Sequence, residues 1–516
     1  MRKLLAILQI FVLMAAMALP TAFAAEAPIM LAGLEAASSS SSTEAQHDWD
    51  TNLFFQTMQE KTGIAFSFTE YVSREAWTEA KTEMLAGEVA MPDMFFKAEL
   101  TPQETLAFYE AGKLIDLRPY LAEYAPHVWA LLEANPEWME AVSLPDGAIV
   151  ALPSINELTP NNTMWINKTW LDRLKMAVPT TAEELTEVLR QFRDRDMNQN
   201  GSRNDEIPLS FVSMWDLRFL AHAFGINADD YYLTEQNGKI SEVLTTEENR
   251  AFLTWLHELY TEGLLDSQGF MAMRLVEAAT SSSSSSSRET AKYGVFFGAT
   301  PQDVVGVNLA SEYIALDPLV YDGQQVYRDF TGDLYRGTFA ISSTCAEPKK
   351  LLQWVDYLYT DEGFLAAQVG KEGEDYDWND DGTWAYARTA EEVVAMQGTN
   401  TIWTTSMPSY ASAEIQMKMD DDATHALAAE LMRVRQWEKR AMPLLYLTQE
   451  QMNRVTELQS GISTYAETRM AWFVAGDVEL NDETWADFCT QVKALGIDEM
   501  VSIWQTACDN AWHLDK

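Results

Sequence analysis

The segment Asp196-Met-Asn-Gln-Asn-Gly-Ser-Arg-Asn-Asp-Glu-Ile-Pro208 spaces oxygen-bearing side chains as a hard cation needs them. Asp196, Asn198 and Asn200 take positions one, three and five of an EF-hand-like loop, and Gly201 takes position six, where such a loop turns sharply. The pattern departs from that motif at position twelve, which is Ile207 rather than Glu; the acids Asp205 and Glu206 come at positions ten and eleven. The Ser202 carbonyl, Asn204 or Asp205, and Glu206 could close the ligand set around a structural Ca2+. Spacing alone equally allows a polar turn after a helix.

Chemistry of other kinds has less to stand on. There is no GxSxG, HExxH or P-loop sequence. The six histidines, His47, His127 and His425 among them, are isolated. Carboxylates are abundant enough for a glycosidase-type pair, but any acidic chain offers such pairs and nothing places two across a cleft. The three cysteines, Cys345, Cys489 and Cys508, form no CxxC and no Cys/His spacing that would hold zinc. Cys489 and Cys508 could pair or remain free thiols.

The cation loop needs a rigid element to deliver it. Leu185, Val188, Leu189 and Phe192 recur at helical spacing behind Pro179 and a capping box from Thr180 to Glu183. Before that helix, Met164 to Asn167 reads as a strand and Trp170-Leu171 as part of a short helix. Short strands are also expected at Ile64–Phe68, Met94–Phe96, Gly112–Leu117, Gly147–Pro153, Tyr293–Gly298, Tyr313–Leu319 and Gly337–Ser342. Helices are expected between Asn52 and Gly63, over Trp77–Leu85 and Asn249–Leu264, over Pro348–Tyr359 and Asp361–Gln368, and through most of the chain after about Glu391. Helices alternating with short strands give an α/β architecture with a largely helical C-terminal third.

At 516 residues the chain is long enough for two or three domains. Its formal charge of −42 excludes nucleic acid and anionic lipid as partners of the general field. Its 17 Trp, 19 Tyr and 22 Phe exceed what packing alone requires, and flat rings suit sugar faces. Residues 1–25 read as a secretory signal: Arg2 and Lys3, an apolar run from Leu4 to Leu19, and Ala22-Phe23-Ala24 as the cleavage site. An exported, extracellular or cell-surface protein is expected, and no cysteine follows the apolar run to serve as a lipobox acceptor. Two Ser-rich runs, Ala37–Glu44 and Ser281–Ser287, cannot bury apolar surface.

Several segments, in order, resemble the carbohydrate-type, family 1 extracellular solute-binding proteins of bacterial ABC importers. They are Asp50–Phe54 with Glu60–Ile64, Met164–Leu174 with Pro179–Leu185, the Asp196 loop to Leu209, and Gly337–Ser343. Trp354–Gly363, Gly370–Tyr376, Tyr465–Gly476 and Leu495–Ile497 complete them, so the resemblance spans roughly residues 48–510. It implies a two-lobe, periplasmic-binding-protein-like (type II) clamp that closes on a ligand. Lobe 1 would hold residues 26–158 with 317–365, and lobe 2 residues 159–316 with 366–516. Crossings would fall near Pro153–Thr163, Tyr313–Pro318 and Leu365–Gly373. The family's first strand belongs at Ile29–Leu34.

The resemblance further implies a non-catalytic, monomeric receptor for an oligosaccharide, handing it to ABC permease subunits. A secreted carbohydrate-active enzyme and a solute sensor are the alternatives. Ring-stacking and hydroxyl-binding candidates near the cleft are Asp48, Trp49 and Asn52, then Trp165 and Asn167, then Trp215. Tyr335, Arg336, Glu372, Tyr376 and Trp378 complete the set, with Arg336 suited to an interlobe ion pair or a sugar carboxylate.

Overall fold

The structure, a computed structural model, describes residues 29–34, 49, 51–71, 73–269, 290–329, 332–396, 399–402 and 407–513. The signal segment, both Ser-rich runs and Asp48 lie outside these residues. The strands in chain order are β1 (Ile29–Leu34), β2 (Phe66–Tyr71), β3 (Met94–Phe96), β4 (Ala151–Asn156), β5 (Thr163–Asn167), β6 (Ile207–Leu209), β7 (Leu233–Gln236) and β8 (Lys239–Glu242). They continue as β9 (Tyr293–Gly298), β10 (Tyr313–Ala315), β11 (Tyr327–Arg328), β12 (Leu334–Ile341), β13 (Tyr376–Trp378), β14 (Trp384–Tyr386), β15 (Tyr410–Ala411) and β16 (Glu438–Lys439).

Two sheets organise the chain. A six-stranded sheet runs β15-β4-β12-β3-β1-β2 and a four-stranded sheet runs β10-β5-β9-β6. In the first, β1, β2 and β3 are mutually parallel, β12 runs antiparallel to β3 and β4, and β15 lies parallel to β4. In the second, β5 is antiparallel to β9 and β10, while β6 is parallel to β9. Strands covered on both faces read as unbroken apolar runs, and Met94-Phe95-Phe96 and the centre of β5, Met164-Trp165-Ile166, are such runs.

Each sheet has its own core. Phe54, Phe55, Phe96, Leu152, Phe339 and Trp354 pack around the first. Trp165, Trp170, Leu185, Phe192 and Leu256 pack around the second, together with Phe473, Trp485 and Phe488 of the C-terminal helices. The helix Ala182–Asp194 buries the expected stripe, Leu185, Val188, Leu189 and Phe192. Its cap sits one residue later than the spacing predicts: Thr181 Oγ1 accepts the Glu184 N–H, and the Glu184 carboxylate turns back to the Thr180 N–H.

Several boundaries differ from the sequence reading. Gly112–Leu117 forms no strand: it contributes the bridge Leu114–Ser342 and a hydrogen bond from Leu117 N to Ile149 O. The expected Gly147 strand starts at Ala151, and β10 stops at Ala315. Leu319 and Tyr327 pack in the second core, so residues 317–328 stay with lobe 2. Ala367, Ile402 and Met407 pack in the first core and β15 joins the first sheet, although the resemblance assigns them to lobe 2. Tyr327 of β11 packs in the second core and β12 belongs to the first sheet, so the chain changes core between these two strands.

Candidate functional site

Both sheets turn their strand ends toward the crossings. β4 leads out of lobe 1 into the first crossing, and Ile155 pairs with Leu334 at the start of β12. Because β3 is antiparallel to β12, the carboxyl ends of β3, β1 and β2 share that edge. In lobe 2, Thr163, where β5 begins, faces Gly298, where β9 ends, and β6 runs with β9. Loops leaving the carboxyl ends of strands are where α/β sheets place ligands.

On the lobe 2 side, the loop leaving β6 reaches Trp215 through a capping box in which Ser213 and Asp216 close the first turn. Asn162 of the first crossing donates to Asp216 Oδ1 at 3.0 Å, which fixes that turn against the crossing. The half-buried Trp215 donates its indole N–H to Asp230 Oδ1 at 2.8 Å. Arg328 Nη2 donates to the same oxygen at 2.6 Å, and Arg218 stands 3.8 Å away. Burial alone would raise the Asp230 carboxyl; Arg328, Arg218 and the Trp215 N–H outweigh it and hold it below the usual carboxylate range. Its side chain stays 45% exposed. Trp215 was among the sequence candidates; Asp230, Arg218 and Arg328, which the structure brings beside it, were not. The signal available for Asp230 was its run with Asp229, Tyr231 and Tyr232.

On the lobe 1 side, the register of β12 shifts between Tyr335 and Phe339. Gly337 at φ +75° makes this bulge possible, since a Cβ there would lie 2.0 Å from Leu100 O. Tyr335 emerges 46% exposed beside the crossing. Its neighbour Arg336 holds no ion pair among the described residues. It donates to the carbonyls of Ala141, Leu444 and Leu445 and packs 4.8 Å from the Tyr446 ring, tying lobe 1 to the segment after the third crossing.

The other expected contacts scatter. Trp49 is 2% exposed, edge-on to Phe55 with Lys97 Nζ 4.7 Å from its ring. Asn52 is fully buried as the cap of the helix Leu53–Thr62 and donates to Thr401 O. Trp165 is 1% exposed and spends its N–H on Gly298 O at 3.0 Å. Asn167 caps the helix Lys168–Leu174 at the far end of β5, away from the crossings. These four are structural residues here, because packing and capping consume the faces a sugar would need. Tyr376 is 4% exposed beneath the β13–β14 hairpin, with Glu372 exposed next to it and Trp378 40% exposed at the strand end.

The crossings are held side by side by polar contacts. Glu157 accepts from the Tyr410 hydroxyl and the Ala413 N–H, both at 2.8 Å. Arg435 pairs with Asp333 and donates to Glu157 O, and Asn161 donates to Arg328 O at 2.7 Å. Such strapping lets lobes reorient about a few short segments without unpacking either core.

The Asp196 loop lies at the amino end of β6, opposite the crossings. Its side-chain oxygens turn inward. Asp196 accepts from Asn200 N and Gly201 N, Asn198 from Asn200 N, and Glu206 from Met197 N at 2.7 Å. Asp205 accepts from Asn198 and Asn200 Nδ2, which holds its carboxyl below the usual range. Asp205 Oδ1 and Glu206 Oε2 are buried with no hydrogen bond among the described residues. Ser202 and Asn204 are exposed on the outer turn. Among the described residues no three His, Cys, Asp or Glu side chains cluster as a metal group, so any cation here would lean on Asn side chains and carbonyls as well.

Two lobes joined by three crossings, with strand ends facing a shared edge, are the architecture of ABC-transporter solute-binding proteins. No family model matches the chain. An extracellular solute-binding protein from Bifidobacterium longum subsp. infantis matches 94% of this chain and 99% of its own at a TM-score of 0.75 and 22% identity. An HMO-binding, ABC-transporter-associated solute-binding protein from Bifidobacterium longum infantis matches at 0.72 and 23%, over the same shares. The sequence is similar along most of its length to one characterised protein, FusA, the fructooligosaccharide ABC transporter substrate-binding protein of Streptococcus pneumoniae. The two are 24% identical over 504 residues, covering 91% of this chain and 89% of FusA. Structures of FusA with kestose, and of its EF-hand mutant with fructo-nystose, match 94% of this chain and 99% of theirs at TM-scores of 0.65 and 0.64, with 22% and 21% identity. Among the described residues no helix is long and apolar enough to cross a membrane.

Proposed function

We propose that this chain is an exported receptor that captures an oligosaccharide between its lobes and delivers it to an ABC permease. The observation that carries this reading is that groups suited to a sugar stand beside the crossings on both lobes: the exposed Tyr335 on lobe 1, and the half-buried Trp215 with Asp230 on lobe 2. Ring faces take the apolar side of a pyranose or furanose, and a fixed carboxylate takes its hydroxyls. Trp378 and Glu372, on and beside the β13–β14 hairpin, offer a further exposed aromatic and carboxylate for a longer chain. The ligand specificities of FusA and of the HMO-binding relative support a sugar of several units. Export rests on residues 1–25, with no lipobox cysteine behind them.

The Asp196 loop is proposed as a Ca2+ site held by Asp196, Asn198, Asn200, Asp205 and Glu206. The two buried, unbonded carboxylate oxygens supply the fit, and bound Ca2+ would staple the helix Ala182–Asp194 to β6. Ser202 would contribute its carbonyl, and Asn204 stands outside the set.

Isothermal titration of the mature protein against kestose, maltotriose and longer neutral oligosaccharides, with chromatography of the same samples, tests the receptor reading. Saturable binding with unchanged sugars is expected. Shortened products would replace the receptor with an enzyme.

A further inference from the structure

Asp230 presents its two oxygens in different states. Oδ1 receives the Trp215 N–H, the Arg328 guanidinium and the approach of Arg218. Oδ2 carries no hydrogen bond among the described residues, on a side chain that is 45% exposed. The backbone is pinned as well, since Gln459 Nε2 donates to Asp230 O at 2.8 Å. A carboxylate clamped through one oxygen and open at the other is a preorganised acceptor that loses little freedom when a hydroxyl arrives. The half-buried Trp215 ring beside it, held by Phe219 edge-on at 5.1 Å and by the Arg328 guanidinium 5.5 Å from its centroid, is a fixed flat surface next to that oxygen.

The two cations against Asp230 are already engaged. Arg328 is 5% exposed and also donates Nε to Ala228 O; Arg218 donates to Asp229 O and lies 4.3 Å from the Tyr232 ring. Across the crossings, Arg336 is spent on carbonyls and Arg74 stands 3.7 Å from Glu99. A ligand carboxylate would therefore meet the open oxygen of Asp230 within a chain of net charge −42.

Resting on the receptor reading above, we propose that Asp230 is the specificity-determining acceptor of this site, selecting neutral sugars that present hydroxyls and rejecting uronate-bearing ones. It does so by accepting a sugar O–H at Oδ2 while Trp215 stacks on the ring.

The test titrates wild-type protein and Asp230→Asn with kestose, maltotriose and trigalacturonate, recording melting temperatures alongside. For wild type, the best neutral sugar should bind about a hundred-fold or more tighter than trigalacturonate. In Asp230→Asn, which keeps the shape and removes the charge, affinity for that neutral sugar should fall about ten- to hundred-fold. The neutral-to-uronate affinity ratio should fall with it, which mere loosening of the fold would not produce. Wild-type protein that binds trigalacturonate as tightly as the neutral sugars overturns the inference, whether or not the variant folds. So does a folded variant with unchanged affinity and ratio; both results leave the receptor reading standing. Wild-type protein that binds no sugar of the panel overturns the receptor reading, and the inference with it.

Discussion

Adjacent carboxylates at Asp229 and Asp230 should answer to substitution in opposite ways, and Asp229 allows the effect to be worked out. Its Oδ1 accepts the N–H groups of Tyr231 at 2.8 Å and Leu233 at 2.9 Å, shaping the turn that presents Asp230. Burial raises its pKa from 3.8 to about 6, against the opposing pull of those N–H groups and of Arg218. The native state therefore holds this proton more tightly than the unfolded chain. Stability contributed by Asp229 is present below about pH 4, is lost as pH rises through about 6, and stays lost above. That displacement is worth about 3 kcal/mol at neutral pH. Asp229→Asn keeps the accepting oxygen and removes the charge; with the amide's own burial cost subtracted, about 1–2 kcal/mol of stabilisation should remain. For a chain of this length that corresponds to a rise of about 1–2 °C in Tm. Scanning calorimetry at pH 7.5 and pH 4 checks it, because the gain should be present at the higher pH and vanish at the lower. A variant less stable than wild type at pH 7.5, or an offset identical at both pH values, would refute the reasoning.

Three further outcomes follow from the same structure. Gly337→Ala places a Cβ 2.0 Å from Leu100 O at φ +75°, so it should cost about 3 kcal/mol or more and weaken sugar binding by displacing Tyr335; near-normal denaturation and titration curves would show that the bulge is not needed. Trp165→Ala should lose about 3–5 kcal/mol of stability, whereas Trp378→Ala should lose under about 1 kcal/mol and instead weaken binding of longer oligosaccharides; the reverse ranking in paired melts and titrations would exchange their roles. Chelation with EDTA should lower Tm more than it lowers sugar affinity, since the Asp196 loop lies opposite the crossings; lost binding at unchanged Tm would put the cation in the ligand site.

Local signals were legible wherever one element alone writes them. The stripe Leu185, Val188, Leu189 and Phe192 marks its helix because only a 3.6-residue period brings those side chains to one face. Met94-Phe95-Phe96 marks a buried strand, and Tyr293–Gly298 falls where its pattern indicates. The alternating oxygens after Asp196 were legible for the same reason, because the whole loop lies within a dozen consecutive residues.

The roles of the aromatic and polar residues were not legible, because a Trp or Asn reads the same in sequence whether it is buried or open. Trp165 and Trp215 each directly follow a Met, yet one closes on Gly298 O in the core and the other stands half-buried beside Asp230. Asn52 and Asn167 look like sugar-binding amides and are helix caps. The sequence by itself determined the elements, their order and the cation-ready loop, since these depend on period and spacing along the chain. Only the tertiary structure decided that Asp230, Arg328 and Trp215 meet, because that meeting brings β11 against a segment about a hundred residues earlier in the chain.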